Sequence, residues 1–254
     1  MTHWIRFEHA GSARLGTLDG DTIRVHDGDL FQDPRPTGQT LRLSDVRLRR
    51  PVEPGKVIAM YNNFGALLEK MKVTRPAEPQ YLLKPSNTFN DPAARVPDPK
   101  TDSRVVFEGE LAIVMGRQAR RMSEADALSS VFGYTCVNDV TAVDHLTRDP
   151  SFAHWVRAKG FDGFCPIGPA VATGLEPSTL VVRSILNGQL RQEYPIADML
   201  FSVPQLVSRL SHDMTLNPGD LILCGTSVGV GVMKPGSRIE IEIAGIGTLA
   251  NEFA

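Results

Sequence analysis

The sequence lacks the features that mark secreted, membrane-spanning and nucleic-acid-binding proteins. Its three cysteines are far apart in the chain and odd in number, which argues against a disulfide framework. No segment approaches the roughly 18 consecutive apolar residues that span a bilayer, and residues 1–11 do not resemble a signal peptide. The net charge of -2 provides no basic excess for phosphate groups. We therefore expect a cytoplasmic protein that binds neither membranes nor nucleic acid.

The composition is that of a globular protein, because 42% of the residues are hydrophobic and 22% are charged. Residues 51–55 contain two prolines and a glycine, and we place a domain boundary there. The prediction is a small N-terminal β unit in residues 1–52 and a catalytic domain in residues 53–254. Within the N-terminal unit, Pro34, Pro36 and Gly38 are expected to break the chain.

Segments with strand character outnumber those with helical character. Asn187 and Gly188 predict a β-hairpin, because a type I′ turn needs positive φ at both central residues. Ser123 followed by Asp126 predicts the start of a helix. We therefore predict a mixed α+β, β-rich fold without the βαβ alternation of a doubly wound sheet. The main predicted strands are 56–60, 105–115, 134–137, 181–186, 189–194, 221–224 and 238–243, and the predicted helices are 64–71, 124–131 and 203–210.

Two glutamates on one predicted strand suggest a cation site. Glu108 and Glu110 are two residues apart, so their side chains project from the same face of a strand. Paired carboxylates repel each other, and a hard divalent cation with oxygen ligands relieves that repulsion. A solvated strand face that carries two acids is the alternative explanation.

A third acid strengthens the interpretation as a cation site. Asp139 comes directly after the apolar predicted strand 134–137, where its carboxylate could meet the first two. An Asx turn or a helix cap is the alternative role for this aspartate.

Two further segments combine reactive side chains with turn residues. Lys159 lies among glycines and aromatic residues, and a lysine near a metal can bind an enolate oxygen or move protons. Thr226 lies in a glycine-rich turn whose backbone N–H groups could hold a carboxylate. The turn is not a P-loop, because no Gly-Lys-Ser/Thr follows, and its glycine spacing is not that of a Rossmann fold.

The chain resembles the fumarylacetoacetate hydrolase family over about residues 56–253. In the family's order it carries the motifs E-x-E-L, G-Y-T-x-x-N-D, R-A-K-x-x-D-x-x-x-P-x-G-P, N-G, L-N-P-G-D, G-T-x-x-G-x-G and G-I-G-T-L-x-N. Each motif alone is common, but the ordered set is specific. The resemblance implies a β-roll catalytic domain, a homodimer and a bound Mg²⁺ or Mn²⁺.

By position, the resemblance implies that Glu108, Glu110 and Asp139 hold the metal. It implies catalytic roles for Lys159 and for Glu69, which follows the first strand of the main domain. We assign substrate binding to Thr226, Gly225, Asn62 and Lys84.

The chain departs from the family at the segment that contains Glu69. Many members have a histidine that pairs with this glutamate to activate water, and Ala66 occupies that position here. An arginine and a proline of the family are also replaced, by Val143 and Ser227. His145 and His154 flank a loop near Asp139 and could approach the metal, with an exposed or capping role as the alternative.

The missing imidazole favours isomerisation or decarboxylation over hydrolysis. Hydrolytic C–C cleavage needs an activated water, whereas the other two reactions need only an electron sink and a proton relay. We therefore expect a metal-dependent enzyme that isomerises or decarboxylates a small 2-oxo acid or its enol, namely a 2-hydroxymuconate-type dicarboxylate. The alternatives are a C–C hydrolase of the acylpyruvate or fumarylacetoacetate type and a non-catalytic family member that binds a ligand.

Overall fold

The computed structural model describes residues 1–254, which form twenty β-strands and four α-helices. The helices are α1 (Gly65–Met71), α2 (Glu124–Ala127), α3 (Trp155–Lys159) and α4 (Val203–Asp213). The first ten strands are β1 (Thr2–His9), β2 (Ser12–Asp19), β3 (Thr22–Asp27), β4 (Arg35–Arg42), β5 (Arg47–Arg49), β6 (Val57–Tyr61), β7 (Gln80–Lys84), β8 (Phe89–Asn90), β9 (Arg95–Val96) and β10 (Val105–Phe107). The other ten are β11 (Gly109–Met115), β12 (Val131–Asn138), β13 (Thr141–Ala142), β14 (Cys165–Thr173), β15 (Val181–Leu186), β16 (Gln189–Pro195), β17 (Leu221–Leu223), β18 (Gly231–Val232), β19 (Arg238–Ile243) and β20 (Gly247–Phe253).

The strands form three sheets, of twelve, three and five strands. The large sheet has the order β4-β3-β2-β1-β14-β12-β11-β17-β6-β7, with β5 beside β1 and β8 beside β14. The smaller sheets have the orders β16-β15-β19-β20-β9 and β13-β10-β18. This architecture confirms the predicted β-rich, mixed α+β fold. No helix combines the length and apolar character needed to cross a membrane.

The central strands of the large sheet are covered on both faces. Along β11, Leu111 and Ile113 belong to the largest apolar core, which also contains residues of the five-stranded sheet and of α4. Ala112 and Val114 point to a second core on the opposite face. Every residue of β11 is therefore buried, and Glu110 in this strand lies within an apolar layer.

The N-terminal strands extend the large sheet, because β1 pairs antiparallel with β14. Ile5, Phe7, Ile23 and Val25 form a small core of their own together with Ala170 of β14. Division of the chain into two domains at residue 52 stays a prediction.

The prediction that the chain breaks at Pro34, Pro36 and Gly38 is wrong for Pro36 and Gly38, whereas Pro34 lies in the loop between β3 and β4. Pro36 and Gly38 lie within β4, which pairs antiparallel with β3. β4 is the edge strand of the sheet, and its register shifts near His26. An edge strand tolerates proline, because one of its sides donates no hydrogen bonds to a neighbour.

One predicted strand is interrupted, one predicted helix is shortened, and the predicted hairpin is confirmed. The predicted strand 105–115 is divided into β10 and β11, with Glu108 at the break. The predicted helix 124–131 ends at Ala127 and continues as a 3₁₀ turn. The β15–β16 hairpin turns at Asn187 and Gly188, whose φ angles are 51° and 76°.

Candidate metal centre and active site

Three carboxylates meet at one edge of the large sheet. β11 and β12 pair antiparallel with Gly109 opposite Asn138, so the start of β11 coincides with the end of β12. Glu108 and Glu110 on one strand segment therefore approach Asp139 on the other. Each residue offers a carboxylate oxygen within 4.8 Å of the others.

The break before β11 orients Glu108. Its backbone N–H donates to Asn138 Oδ1 at 3.0 Å, and its carbonyl accepts from the Asp139 N–H at 2.9 Å. The Asn138 side chain therefore ties the two acid-bearing segments together.

Two buried lysines contact the acid cluster. Lys159 Nζ donates to Glu108 Oε2 at 2.8 Å, to Asp139 Oδ2 at 2.6 Å and to Thr141 Oγ1 at 2.7 Å. Lys84 Nζ donates to Asp139 Oδ1 at 2.5 Å and to the Lys159 carbonyl at 2.9 Å. Three carboxylates and two ammonium groups leave one negative charge unbalanced.

That unbalanced charge belongs to Glu110. Its side chain contacts neither lysine and accepts one hydrogen bond, from the Gly225 N–H at 2.7 Å. The residue is 1% exposed. Burial raises the pKa of Glu110 well above its usual value, and the nearby charges of Asp139 and Glu108 raise it further.

The two lysines lower the pKa of Asp139, which both of them contact. Burial alone would raise the pKa of Asp139, but the ammonium groups of Lys159 and Lys84 outweigh burial and lower it. Burial likewise disfavours a charged Lys159, yet Asp139, Glu108 and Glu110 raise the pKa of this lysine. Lys159 is therefore a charged hydrogen-bond donor at neutral pH.

The cluster fits a hard divalent cation. Its donor set consists only of carboxylate oxygens, as Mg²⁺ and Mn²⁺ prefer. Glu110 is buried with one hydrogen bond, so a cation beside it would compensate a charge that the lysines leave unpaired. Glu108, Glu110 and Asp139 would hold such an ion.

The glycine-rich turn after β17 lies against β11, the strand that carries Glu110. The Thr226 hydroxyl donates to the Gly109 carbonyl at 3.1 Å and accepts from Gln192 Nε2 at 2.9 Å. Gly225, which has a φ of 91°, points its N–H at Glu110. The predicted substrate-binding residues Gly225 and Thr226 thus border the acid cluster.

Asn62 lies at the end of β6 in a strained conformation. Its φ is 54°, in the left-handed region that non-glycine residues rarely occupy. The residue is 7% exposed, and its side-chain Oδ1 has no hydrogen-bond partner. The next residue, Asn63, donates to the Cys224 carbonyl, which places this segment beside the glycine-rich turn. A buried acceptor without a partner is consistent with a ligand-binding role for Asn62.

Glu69 is not brought into the cluster. It lies on the exposed side of α1, and its carboxylate forms none of the site's hydrogen bonds or ion pairs. Its catalytic role stays a prediction. His145 hydrogen-bonds to Thr101 Oγ1, and His154 packs against Phe152, so neither histidine is among the grouped ligands.

Sequence reasoning missed several residues that shape the site. Asn138 and Thr141 flank Asp139 and contact Glu108 and Lys159. Gln192 and Tyr194 on β16 contact Gly109 and the glycine-rich turn. Their signal was the alternation of β16, in which buried Gln192 and Tyr194 follow one another at a spacing of two between exposed residues.

The fold and the cluster together define a β-rich protein with a candidate oxygen-ligand metal centre. Residues 56–254 match the family model described as fumarylacetoacetate (FAA) hydrolase C-terminal. Residues 2–51 match a second model, Rv2993c-like, N-terminal. The chain therefore belongs to the fumarylacetoacetate hydrolase family.

Related sequences cover nearly the whole chain. Protein Rv2993c of Mycobacterium tuberculosis is 40% identical over 256 residues, which cover 94% of this chain and 96% of the relative. The 4-hydroxyphenylacetate degradation bifunctional isomerase/decarboxylase of Escherichia coli is 37% identical over 249 residues, which cover 95% of this chain and 57% of that protein.

Solved structures share the fold over its full length. The 2-hydroxyhepta-2,4-diene-1,7-dioate isomerase from Mycobacterium marinum has a TM-score of 0.92 and 36% identity, with 100% of this chain and 98% of that chain covered. A maleylpyruvate hydrolase from Sphingobium sp. SYK-6, in complex with manganese(II) ion and pyruvate, has a TM-score of 0.82 and 28% identity, with 99% of this chain and 98% of that chain covered. Both isomerases and hydrolases are therefore among the similar proteins.

Proposed function

We propose that this protein is a divalent-metal-dependent enzyme that isomerises or decarboxylates a hydroxymuconate-type 2-oxo acid or its enol. The observation that carries the proposal is the convergence of Glu108, Glu110 and Asp139 with the charged Lys159. The similarity to an isomerase and to a bifunctional isomerase/decarboxylase supports the same reaction class.

A Mg²⁺ or Mn²⁺ ion held by the three carboxylates would supply a Lewis acid that stabilises negative charge on the substrate's keto oxygen. Lys159 would donate a hydrogen bond to the enolate that develops as a C–C or C–H bond breaks. All three of its donors are engaged, so it must exchange one contact to do so. The Thr226 turn would hold the substrate's carboxylate, and the unpartnered Asn62 Oδ1 would accept a hydrogen bond from the enol hydroxyl.

Isomerisation or decarboxylation is favoured over hydrolysis because the chain offers no imidazole to Glu69. Ala66, one turn earlier in α1, is exposed, and no histidine hydrogen-bonds to the Glu69 carboxylate. Without a paired base, a water molecule near Glu69 is only weakly activated.

A substrate comparison tests the proposal. The purified, Mg²⁺-loaded protein is assayed against oxaloacetate, a 2-hydroxymuconate and an acylpyruvate. We expect tautomerisation or decarboxylation of the first two to exceed cleavage of the third. Fast acylpyruvate cleavage without tautomerisation would reverse the assignment.

C–C hydrolysis is the second candidate, and the similarity to a maleylpyruvate hydrolase favours it. Glu69 would then act as the base without an imidazole. The variant Glu69→Gln separates the two candidates, because it should abolish hydrolysis and leave a metal-assisted tautomerisation active.

A non-catalytic, ligand-binding role predicts a different result. Glu108→Ala and Glu110→Ala would then leave the rates measured with all three substrates unchanged. We also propose a homodimer and a cytoplasmic location, as the family resemblance and composition imply. Sedimentation equilibrium of the full chain tests the first.

A further inference from the structure

A cleft of about 440 Å³ lies between the β6–β7 pair and α3. No charged side chain lines it; its walls are Tyr61, Pro79, Gln80, Tyr81, Leu82 and Trp155. Tyr61 and Trp155 meet edge to face, with ring centroids 4.5 Å apart and an interplanar angle of 61°. The volume is within the usual range for small-molecule sites. We call it the Tyr61–Trp155 cleft.

Strand register places this cleft beside the acid cluster. Leu223 of β17 pairs with Ala59 of β6 on one side and with Ala112 of β11 on the other. Two residues further along each segment, Tyr61 is level with Glu110, and the two side chains share a face of the sheet. Two strand spacings separate their backbones, about 10 Å.

α3 connects the cleft to the cluster independently. Trp155 and Lys159 are four residues apart, so both project from the same face of α3. Lys159 contacts Glu108 and Asp139, and Trp155 contacts Tyr61. One short helix therefore borders both the charged cluster and the uncharged cleft.

Asn62 supplies a further sign of a ligand at this position. It directly follows Tyr61, is buried in a left-handed conformation, and has a side-chain oxygen without a partner. Buried polar atoms in folded proteins normally have a partner, so this acceptor oxygen fits a hydrogen-bond donor, such as the enol hydroxyl of a ligand bound beside Tyr61.

We propose that the Tyr61–Trp155 cleft binds the uncharged, conjugated carbon chain of the substrate, whose 2-oxo acid end lies at Glu108, Glu110 and Asp139. This inference rests on the proposed function and adds a determinant of substrate choice. A flat π system suits two aromatic rings that meet edge to face, and the uncharged walls suit the carbon chain between the two carboxylates of a hydroxymuconate-type substrate, not either carboxylate.

Fluorescence of Trp155 tests occupancy directly. The chain has two tryptophans, Trp4 and Trp155, so the variant Trp4→Phe leaves Trp155 as the single reporter. The Mg²⁺-loaded variant is titrated with pyruvate and with benzylidenepyruvate, which share a 2-oxo acid end and differ in the conjugated chain. Benzylidenepyruvate should change Trp155 emission and pyruvate should not. The variant Trp155→Phe, which retains Trp4 in β1, is the control: any loss of its emission on adding ligand comes from absorption of light by the ligand and not from contact with Trp155.

Calorimetric affinities supply the energetic test. Trp155→Ala should weaken benzylidenepyruvate binding about three- to tenfold and leave pyruvate within about twofold. Trp155→Phe retains an aromatic ring and should restore most of the loss. Val156→Ala, an exposed neighbour on α3 that does not line the cleft, should leave both affinities unchanged.

The outcomes separate this inference from the proposed function. Equal weakening of both ligands, or no weakening of either, overturns the cleft as a subsite. If the Mg²⁺-loaded protein binds no pyruvate at all, the proposed function itself fails. Should Trp155→Ala not fold, as judged by circular dichroism, Tyr61→Leu provides the same comparison from the opposite wall.

Discussion

At the residue scale, Glu110 is the acid of the site whose charge is least compensated. Its carboxylate is buried beside two other acids and has one hydrogen bond, whereas its neighbour Asp139 contacts two lysines. Burial and repulsion therefore raise the pKa of Glu110, while the pKa of Asp139 is lowered. A cation bound at the cluster would compensate the charge of Glu110 and so lower the pKa of this residue.

The sign of the pH dependence follows from Glu110. Because its folded pKa is raised, the folded state binds this proton more tightly than the unfolded chain does. The metal-free protein therefore loses stability as pH rises from about 4.3, the pKa in an unfolded chain, through the raised value in the fold. In thermal melts of the metal-free protein between pH 4 and 8, the melting temperature of wild type should fall relative to that of Glu110→Gln as the pH rises.

Replacing Glu110 also tests the metal site. Glu110→Gln keeps an acceptor for the Gly225 N–H and removes the buried charge. We expect the metal-free melting temperature at pH 7.5 to rise by about 2–6 °C, and the further rise on adding Mg²⁺ to disappear. Glu69→Gln, at an exposed site, should change neither value. Retention of full Mn²⁺ affinity in Glu110→Gln would remove this residue from the ligand set.

A substitution of Lys159 should reduce turnover without weakening metal binding. Lys159→Met removes a charged donor from the cluster, and turnover should fall at least about 100-fold. Affinity for Mg²⁺ should hold or increase, because a positive charge beside the ligands is lost. Arg157→Met on the same helix is the control, measured by steady-state kinetics and by metal titration. A parallel loss of metal affinity would assign Lys159 a structural role instead.

The strained Asn62 permits a matched pair of glycine variants. Glycine adopts φ near +55° without strain, so Asn62→Gly should keep the melting temperature within about 2 °C of wild type or raise it. Its KM should rise several-fold if the amide contacts substrate. Asn187→Gly, also at positive φ but in the distant hairpin turn, should leave KM unchanged. An unaltered KM in Asn62→Gly would exclude the amide as a substrate contact.

At the scale of elements, the β15–β16 hairpin braces the site from the five-stranded sheet. Gln192 accepts from the Gly109 N–H and donates to Thr226, Ser227 and Val228 in the glycine-rich turn. Tyr194 donates to the Gly109 carbonyl at 2.5 Å. Both side chains thus hold the metal-binding strand and the substrate-binding turn at a fixed separation.

Removing that brace should affect stability and substrate binding together. Gln192→Leu leaves a buried N–H and several carbonyls without partners, at a cost of about 2–4 kcal/mol. We expect a lower melting temperature and a raised KM, with the carboxylates still able to bind Mg²⁺. Gln189→Leu, exposed on the same strand, is the control. A normal KM at a temperature where Gln192→Leu is folded would limit the brace to stability.

At the scale of the whole molecule, a bound cation should stabilise the fold by mass action. A ligand at 100 times its dissociation constant contributes about 2.7 kcal/mol, which corresponds to roughly 5–10 °C for a chain of this size. Differential scanning fluorimetry with Mg²⁺ or Mn²⁺, and with chelator as the reversal, measures this shift. A melting temperature independent of both cations would contradict a metal centre at the cluster.

Much of this architecture could be predicted from local sequence. The hairpin at Asn187 and Gly188 follows from turn stereochemistry, and the buried strands follow from their apolar runs. The strand around Pro36 could not be predicted, because proline is tolerated there only by virtue of an edge position that the sheet order defines. Glu108 was predicted within a strand, but its hydrogen bonds to the end of β12 separate β10 from β11.

The sequence by itself determined the kinds of groups at the site: two glutamates at a spacing of two, an aspartate after a buried strand, a lysine followed by a glycine, and a glycine-rich turn. Only the tertiary structure decided which of them meet. Lys84 and Asp139 are 55 residues apart in the chain, and Gln192 reaches Gly109 from a different sheet. Such contacts depend on how sheets pack and curve, which is a property of the whole buried core and of no single segment.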